Sequence, residues 1–131
     1  MIGLDTNILV RYLTQDDPVQ TTAAVKTIRS LSSTSPGFVS LVVIAELVWV
    51  LEISYDFEKL EIEHVIEKLL RSHELVIDQA ETVSQALRKF RASRANFADC
   101  LIERCCNAAD CQETLTFDKA AISAGMRMLE V

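Results

Sequence analysis

Two acidic residues each come directly after a short apolar run that is typical of a buried strand. Asp5 follows residues 2–4, and Asp118 follows residues 114–117. In α/β folds with parallel strands, ligands bind beyond the carboxyl ends of the strands, so both carboxylates are candidates for a reactive site. The alternative for each is the N-cap of the next helix, because Asp is a preferred capping residue.

Two further acids lie within predicted helices. Glu46 is the only charged residue between Phe38 and Leu51, and a helix that is apolar almost all round is expected to be buried. A buried ionised carboxylate must be paired or bound to a cation, and the alternative is exposure on a narrow polar seam. Asp99 comes three residues after Asn96, where the alternative is a favourable charge at the positive end of the helix dipole, or a capping box.

The elements that must position these acids alternate along the chain. We predict strands over residues 2–4, 38–39, 75–77, 113–116 and 126–131, and helices over about 6–14, 18–32, 41–54, 58–72, 80–92, 97–109 and 119–123. Strands separated by helices imply right-handed crossovers and a parallel sheet covered on both faces. The predicted fold class is therefore α/β, a three-layer α/β/α arrangement with a short, mostly parallel central sheet.

In such a fold the four carboxylates can converge on one edge of the sheet. Like charges raise each other's pKa, so four acids need compensation to stay ionised together. Hard divalent cations with oxygen ligands supply it, and Mg²⁺ or Mn²⁺ is predicted, as one or two ions. Neither His64 nor His73 joins the set, since both lie in the acidic middle of the chain; a zinc site is not expected.

Six short motifs, in order along the chain, resemble the PIN-domain family, in particular the small VapC-like toxins of toxin–antitoxin pairs. They are L-D-T-N at residues 4–7, L-V-R-Y-L at 9–13, D-D-P at 16–18, A-E-L at 45–47, N-F-A-D at 96–99 and T-F-D at 116–118. The resemblance covers essentially the whole chain, and its specificity lies in the ordered set, because no single motif is specific.

The resemblance implies a divalent-metal-dependent ribonuclease that leaves 5′-phosphate and 3′-hydroxyl ends. The family's four acidic positions fall on Asp5, Glu46, Asp99 and Asp118, so none is missing. Asp5 and Asp99 are the expected direct ligands, whereas Glu46 and Asp118 are expected to bind directly or through water.

The supporting polar positions of the family fall on Thr6, Asn7 and Thr116. Asn7 and Thr116 are expected to orient carboxylates and waters around the metal.

The charge distribution restricts how RNA can bind. A net charge of -6 excludes a general basic coat on the protein surface. Residues 46–81 hold ten acids against three bases, so the rest of the chain is slightly positive. Four bases crowd residues 88–94, just before Asp99, and we expect RNA contacts from Arg91 and Arg94, and also from Arg11. The alternative for the basic cluster is solvated charge near a helix C-terminus.

Composition sets the remaining bounds. With 131 residues, of which 50% are hydrophobic and 24% charged, the chain is expected to be a single domain over residues 1–131. Three Gly and two Pro argue against an all-β sandwich. The longest apolar run, residues 41–51, is too short to span a bilayer. The four Cys, at positions 100, 105, 106 and 111, are expected to share one helix as small apolar side chains in a reducing cytoplasm.

Three other protein classes fit the sequence less well than a PIN-like ribonuclease. A haloacid-dehalogenase-type phosphohydrolase needs a second acid where Asn7 stands. A response-regulator receiver needs paired acids after the first strand, but Asp16 and Asp17 lie beyond a helix and Asp78 has no partner pair. A catalytically idle PIN-like binding domain would be marked by a lost carboxylate, and none is lost. A non-toxic RNA-processing nuclease stays open, although a chain that starts and ends on a strand favours the toxin.

Two protein partners are also expected. The helices over 41–54 and 58–72 are predicted to form a homodimer contact through Trp49 and Tyr55, unless both side chains belong to the core. A small antitoxin is implied by the resemblance, and its arginine would bind the carboxylates in a bidentate manner.

Overall fold

In the computed structural model, which describes all 131 residues, short capping signals set where the helices begin. Asp17 accepts a hydrogen bond from the amide of Gln20 at 3.0 Å, and Pro18 occupies the first helical position after it. Ser40 accepts from the amide of Val43 at 3.2 Å and starts the most apolar helix. These side chains satisfy backbone amides that have no partner inside the helix.

The residues form two compact units, Met1–Asp78 and Gln79–Val131. The first unit contains three strands and four helices, in the order β1 (Ile2–Gly3), α1 (Thr6–Thr14), α2 (Pro18–Ser30), β2 (Gly37–Val39), α3 (Leu41–Tyr55), α4 (Lys59–Arg71) and β3 (Leu75–Ile77). Its sheet has the order β1-β2-β3 and every pair is parallel. The carboxyl end of β1 therefore leads directly into Asp5 and α1.

The core of the first unit is built from the inward faces of its helices. Its fully buried side chains include Leu9, Val39, Ile44, Leu47, Leu51, Ile62 and Ile66. Gly37 starts β2 where the chain is tightly packed, because a Cβ there would lie 2.8 Å from Leu4 Cδ1 and 2.9 Å from Leu31 Cδ1. Glycine at this position lets β2 approach the strand that ends at the candidate site.

The second unit contains α5 (Ala80–Ala92), α6 (Phe97–Ala108), β4 (Leu115–Thr116), a 3₁₀ helix (Lys119–Ala124) and β5 (Arg127–Met128). Strands β4 and β5 pair in parallel. The rings of Phe90 and Phe97 meet edge to face, with centroids 5.7 Å apart, which joins α5 to α6.

The predicted α/β class with short parallel strands is confirmed. Three predicted strands are longer than those observed: residues 2–4 shorten to 2–3, residues 113–116 to 115–116, and residues 126–131 to 127–128. In the sheet formed by β4 and β5, only two residues of each strand are paired, so each predicted segment extends beyond the strand that it contains. The second helix also ends earlier than predicted, at Ser30, because Leu31 is extended.

The expectation that all four cysteines share one helix is wrong for Cys111. Helix α6 ends at Ala108, and Asp110 takes a left-handed conformation with φ of 64°, so Cys111 lies outside the helix and is exposed. Cys100 is buried as a small apolar side chain, and none of the four cysteines forms a disulfide. No helix combines the length and apolar character that crossing a lipid bilayer requires.

Candidate active site

In the first unit, two of the predicted site residues come together through a hydroxyl. Asp5 is the N-cap of α1, and its Oδ1 accepts a hydrogen bond from the amide of Thr6 at 2.8 Å. The Thr6 side chain is buried, and its Oγ1 donates a hydrogen bond to Glu46 Oε1 on α3. The start of α1 therefore carries one carboxylate itself and holds a second one through Thr6.

The prediction that Glu46 is buried is wrong, since its side chain is exposed. Only one face of α3 packs in the first unit, and that face consists of Ile44, Leu47, Val48 and Leu51. The opposite face leaves three apolar side chains exposed, and Glu46 lies among them: Val42, Trp49 and Ile53. An all-apolar composition cannot tell which face will pack, and this is why burial was overpredicted.

Asn7 directly follows Thr6 and is exposed. Its side chain makes no hydrogen bond within the chain, although it lines a cavity between α1 and α2. The amide is thus available to a ligand at the same helix end as Asp5.

In the second unit, Asp99 lies in the first turn of α6 but does not cap it. Asn96 is the N-cap, and its Oδ1 accepts from the amide of Asp99 at 2.8 Å. The Asp99 carboxylate is left free of this role, and its Oδ2 is buried with no hydrogen-bond partner. Burial raises the pKa of Asp99, and the negative charge of Asp118 raises it further.

Asp118 is an N-cap, which the sequence analysis gave as the alternative to a role in a reactive site. Its Oδ1 accepts from the amide of Ala120 at 2.9 Å at the start of the 3₁₀ helix. Thr116 supports it by accepting from the backbone amide of Asp118 at 2.9 Å. Asp5 and Asp118 are therefore both helix caps, and each uses one carboxylate oxygen for that purpose.

In both units the candidate ligand residues offer only oxygen atoms, as carboxylates and hydroxyls. Within neither unit do three or more His, Cys, Asp or Glu side chains group closely enough to hold a metal ion by themselves. Asp99 Oδ2 is a buried anionic oxygen without a partner, which is costly unless a cation or donor compensates it. The donor set thus fits a hard divalent cation such as Mg²⁺ and does not fit zinc.

A family model of the PIN domain matches residues 2–125, which run through both units. The chain belongs to the PIN-domain family. PIN domains have a nuclease-type fold, and they are generally metal-dependent nucleases. No curated protein matches the chain. The resemblance stated from the motifs is therefore confirmed for the family.

The basic residues of this PIN domain have different surroundings from one another. Arg94 is exposed and makes no side-chain hydrogen bond or ion pair, and Arg91 is also exposed. Arg11 is half-buried and engaged, with Nε donating to Gln20 Oε1 at 2.6 Å and Nη1 donating to Asp16 Oδ1 at 3.3 Å. Of these side chains, Arg94 is the one most open to a phosphate.

A buried ion cluster in the second unit was missed by sequence reasoning. Lys89 of α5 donates to Glu103 Oε1 of α6 at 2.6 Å and to the carbonyl of Ala124 at 2.8 Å, so it does not belong to a solvated basic patch. Arg104 donates to both oxygens of Glu103 at 2.7 and 3.1 Å. These hydrogen bonds lower the pKa of Glu103, that from Arg104 most.

The same cluster fixes the end of the 3₁₀ helix that Asp118 begins. Gly125 has φ of +99°, and a Cβ there would lie 3.0 Å from Lys89 Nζ. Glu103 stands four residues after Asp99, which places it on the same side of α6, but its partner Lys89 lies on α5. No local spacing in the sequence predicts that pairing.

Proposed function

We propose that this PIN domain is an endoribonuclease dependent on Mg²⁺ or Mn²⁺, that it acts as a single domain over residues 1–131, and that it is the toxin of a toxin–antitoxin pair. Family membership supports the nuclease assignment. The RNA substrate and the toxin role rest on the ordered motifs that resemble VapC-like toxins. Each of the family's acidic positions is retained in the chain.

The proposed ligands are Asp5, Glu46, Asp99 and Asp118, for one or two ions. Asp5 and Asp99 bind directly, and Glu46 and Asp118 bind directly or through water. Support for Glu46 comes from Thr6, which fixes one of its oxygens and leaves the other free. Asn7 and Thr116 are the proposed supporting residues, since groups that orient ligands tune metal affinity.

The residue that carries the proposal is Asp99. Its Oδ2 is buried without a partner, although helix capping is already provided by Asn96. A residue that only stabilised the fold would be expected to have its buried oxygen satisfied. The orphaned oxygen is instead consistent with a ligand that the chain itself does not supply.

A bound Mg²⁺ would polarise the scissile phosphodiester and lower the pKa of a water that attacks it. The chain's own part is to hold carboxylates in place: Asp5 and Asp118 are fixed by the amides that they cap, and Glu46 by Thr6. Because these groups are fixed before the substrate arrives, little reorganisation is needed during the reaction. Arg91 and Arg94 contact phosphates of the RNA strand, and Arg11 contributes from α1.

The proposed assembly has two protein partners. A homodimer would cover Val42, Trp49 and Ile53, which form an exposed apolar stripe on α3. A small antitoxin would place an arginine on the carboxylates, because guanidinium binds carboxylates in a bidentate manner. Four cysteines without a disulfide are consistent with our assignment of the protein to the cytoplasm.

The direct test incubates purified protein with a structured RNA, with and without EDTA, and maps the ends of the fragments. We expect cleavage with added Mg²⁺ or Mn²⁺, none in EDTA, and 5′-phosphate ends. Asp99→Ala purified in the same way controls for contaminating ribonucleases and should be inactive. Equal cleavage in EDTA, or equal cleavage by the variant, would refute the proposed function.

A further inference from the structure

A cavity of about 280 Å³ lies between α1 and α2, and the proposed chemistry uses only Asn7 and Arg11 of its lining residues. We call it the α1–α2 cavity. It is lined by Asn7, Ile8 and Arg11 of α1 and by Gln20, Ala23 and Thr27 of α2. Asn7 is two residues from Asp5, so one lining residue of the cavity lies at the helix end where the first candidate ligand stands.

The polar groups of this cavity have unused hydrogen-bonding capacity. The side chains of Asn7 and Thr27 make no hydrogen bond within the chain. Gln20 accepts from Arg11 through Oε1, but its Nε2 has no partner, and the same is true of Arg11 Nη2. Four polar side chains from two helices thus line the cavity, and each keeps a donor or acceptor that is not used within the chain.

A larger hollow on the outer side of α2, about 580 Å³, provides the contrast. Its hydroxyls are already used by the backbone: Thr21 donates to the Arg11 carbonyl, Thr22 to the Pro18 carbonyl and Ser30 to the Thr27 carbonyl. Size alone would favour this hollow, but its hydroxyl protons are committed. Its Lys26 and Arg29 side chains make no hydrogen bond or ion pair, so the hollow suits an anion, whereas the smaller cavity combines apolar surface with both donors and acceptors.

Arg11 is held rigidly in its place in the cavity wall. Its Nη1 donates to the hydroxyl of Tyr55 at 3.1 Å and to Asp16 Oδ1 at 3.3 Å, while Tyr55 donates to Asp16 Oδ2 at 2.6 Å. The hydrogen bond from Tyr55 is the main cause that lowers the pKa of Asp16, so Asp16 keeps its charge near Arg11. A guanidinium fixed by three neighbours needs little ordering when a ligand binds Nη2.

The chemistry of the lining fits a nucleobase. Arg11 Nη2 and Gln20 Nε2 are donors, whereas Asn7 and Thr27 can donate or accept. Small Ala23 beside Ile8 leaves apolar surface for the face of a flat ring. Arginine pairs best with the O6 and N7 acceptors of guanine, and the O4 edge of uracil is also an acceptor, whereas adenine and cytosine present an amino donor there.

We propose that the α1–α2 cavity is a base subsite that holds a guanine or uracil next to the phosphate that is cleaved. The inference rests on the proposed ribonuclease function and adds sequence preference to it. Base-specific recognition of RNA uses unstacked bases in single-stranded regions, so the substrate is a loop or an end.

The test measures cleavage preference on a random-sequence RNA library, with sequencing of the new ends. The wild type should favour G or U over A or C at one position near the cut, by about tenfold, the size of one good base contact. Thr27→Val and Gln20→Leu should lose most of that preference. Thr22→Val makes the same change on the same helix outside the cavity and should keep it.

A second measurement does not depend on cleavage. Titration of the protein with GMP and UMP should shift amide NMR signals of residues 7–11 and 20–27 more than AMP and CMP do. Thr27→Val should reduce those shifts. Equal shifts from inorganic phosphate would identify an anion site and overturn base recognition.

The two measurements separate the two proposals. If no RNA is cut with added metal, the ribonuclease function fails, and the nucleotide titration still decides the subsite. If RNA is cut with no base preference, or if Thr27→Val and Gln20→Leu keep the wild-type preference, the subsite is refuted while the nuclease stands.

Discussion

The hydroxyl of Thr6 donates a hydrogen bond to the carboxylate of Glu46, which lies forty positions further along the chain. Thr6 is buried at the start of α1, whereas Glu46 is exposed on α3. An exposed glutamate has several rotamers available, and a buried partner restricts it to few of them. The pair therefore fixes one candidate ligand relative to Asp5, the residue before Thr6.

Thr6→Val keeps the shape of the side chain and removes the hydroxyl. We expect cleavage at limiting Mg²⁺ to fall by about 10–100-fold, because Glu46 loses its orienting donor. High Mg²⁺ should recover part of the activity, and Thr6→Ser should recover most of it. The measurement is the Mg²⁺ dependence of the cleavage rate, and an unchanged half-saturating Mg²⁺ concentration in Thr6→Val would refute the role of Thr6.

The fold was largely predictable because its helices begin at local signals. Asp17-Pro18 and Ser40 cap the helices that the sequence assigns to them, and the spacing of Ile62, Ile66 and Leu69 gives α4 its buried face. These signals act over three or four residues, so a single sequence contains them fully. Strand ends were less predictable, since pairing with a neighbour decides where a short strand stops.

The candidate site was predictable in its residue types but not in its environment. Glu46 was assigned to the interior because α3 is apolar on all sides, yet only the face with Ile44 and Leu51 packs. Lys89 was grouped with Arg91 in a basic cluster expected either to contact RNA or to be solvated, yet it pairs with Glu103 on the next helix. Both errors concern which face of a helix meets which neighbour, and that depends on tertiary packing.

The unpartnered oxygen of Asp99 should make the metal-free protein less stable than it could be. Asp99→Asn removes a partly buried charge and its repulsion with Asp118, so we expect the metal-free Tm to rise by about 3–6 °C. Mg²⁺ should raise the Tm of the wild type and have little effect on the variant.

Glu130→Gln is the matched control for this experiment, because Glu130 is exposed and its substitution removes the same charge in the same unit. It should leave the Tm nearly unchanged. Scanning calorimetry or circular dichroism provides the measurement. A fall in the metal-free Tm of Asp99→Asn would make Asp99 a structural residue.

The ion cluster of Lys89 and Glu103 should contribute stability that depends on pH. The pKa of Glu103 is lowered from its ordinary value of 4.5, so its contribution is fully present above that value and is lost as pH falls through the folded-state pKa. Lys89→Met should therefore cost about 1.5–3 kcal/mol of unfolding free energy at neutral pH, and less in acid, below the folded-state pKa of Glu103.

Lys119→Met is the control, since Lys119 is exposed and the charge change is the same. Urea denaturation at the two pH values measures both variants. If Lys89→Met and Lys119→Met lose equal stability, or if the loss is independent of pH, the cluster does not stabilise the second unit in this way.

The exposed stripe on α3 should be the contact of a homodimer. Trp49 is 61% exposed, with Val42 and Ile53 on the same face, and a large apolar residue of this kind is typical of an interface centre. Trp49→Glu should convert a dimer into a monomer in sedimentation at tens of micromolar. Val19→Glu, on a residue of α2 that is 81% exposed, should leave the dimer intact. A monomeric wild type would rule out the dimer.

Toxicity is the property that separates a toxin from a processing nuclease, and growth measures it. Expression of the wild type without a partner should arrest cells, because unchecked RNA cleavage stops protein synthesis. Asp99→Ala should restore growth, whereas Glu130→Ala should stay toxic, since Glu130 is an exposed acid outside the proposed ligand set. If the wild type is harmless at high expression, in a host whose RNA it cuts in vitro, the toxin assignment is wrong. The metal-dependent cleavage would then belong to an RNA-processing enzyme, and the same four carboxylates would still be its proposed ligands.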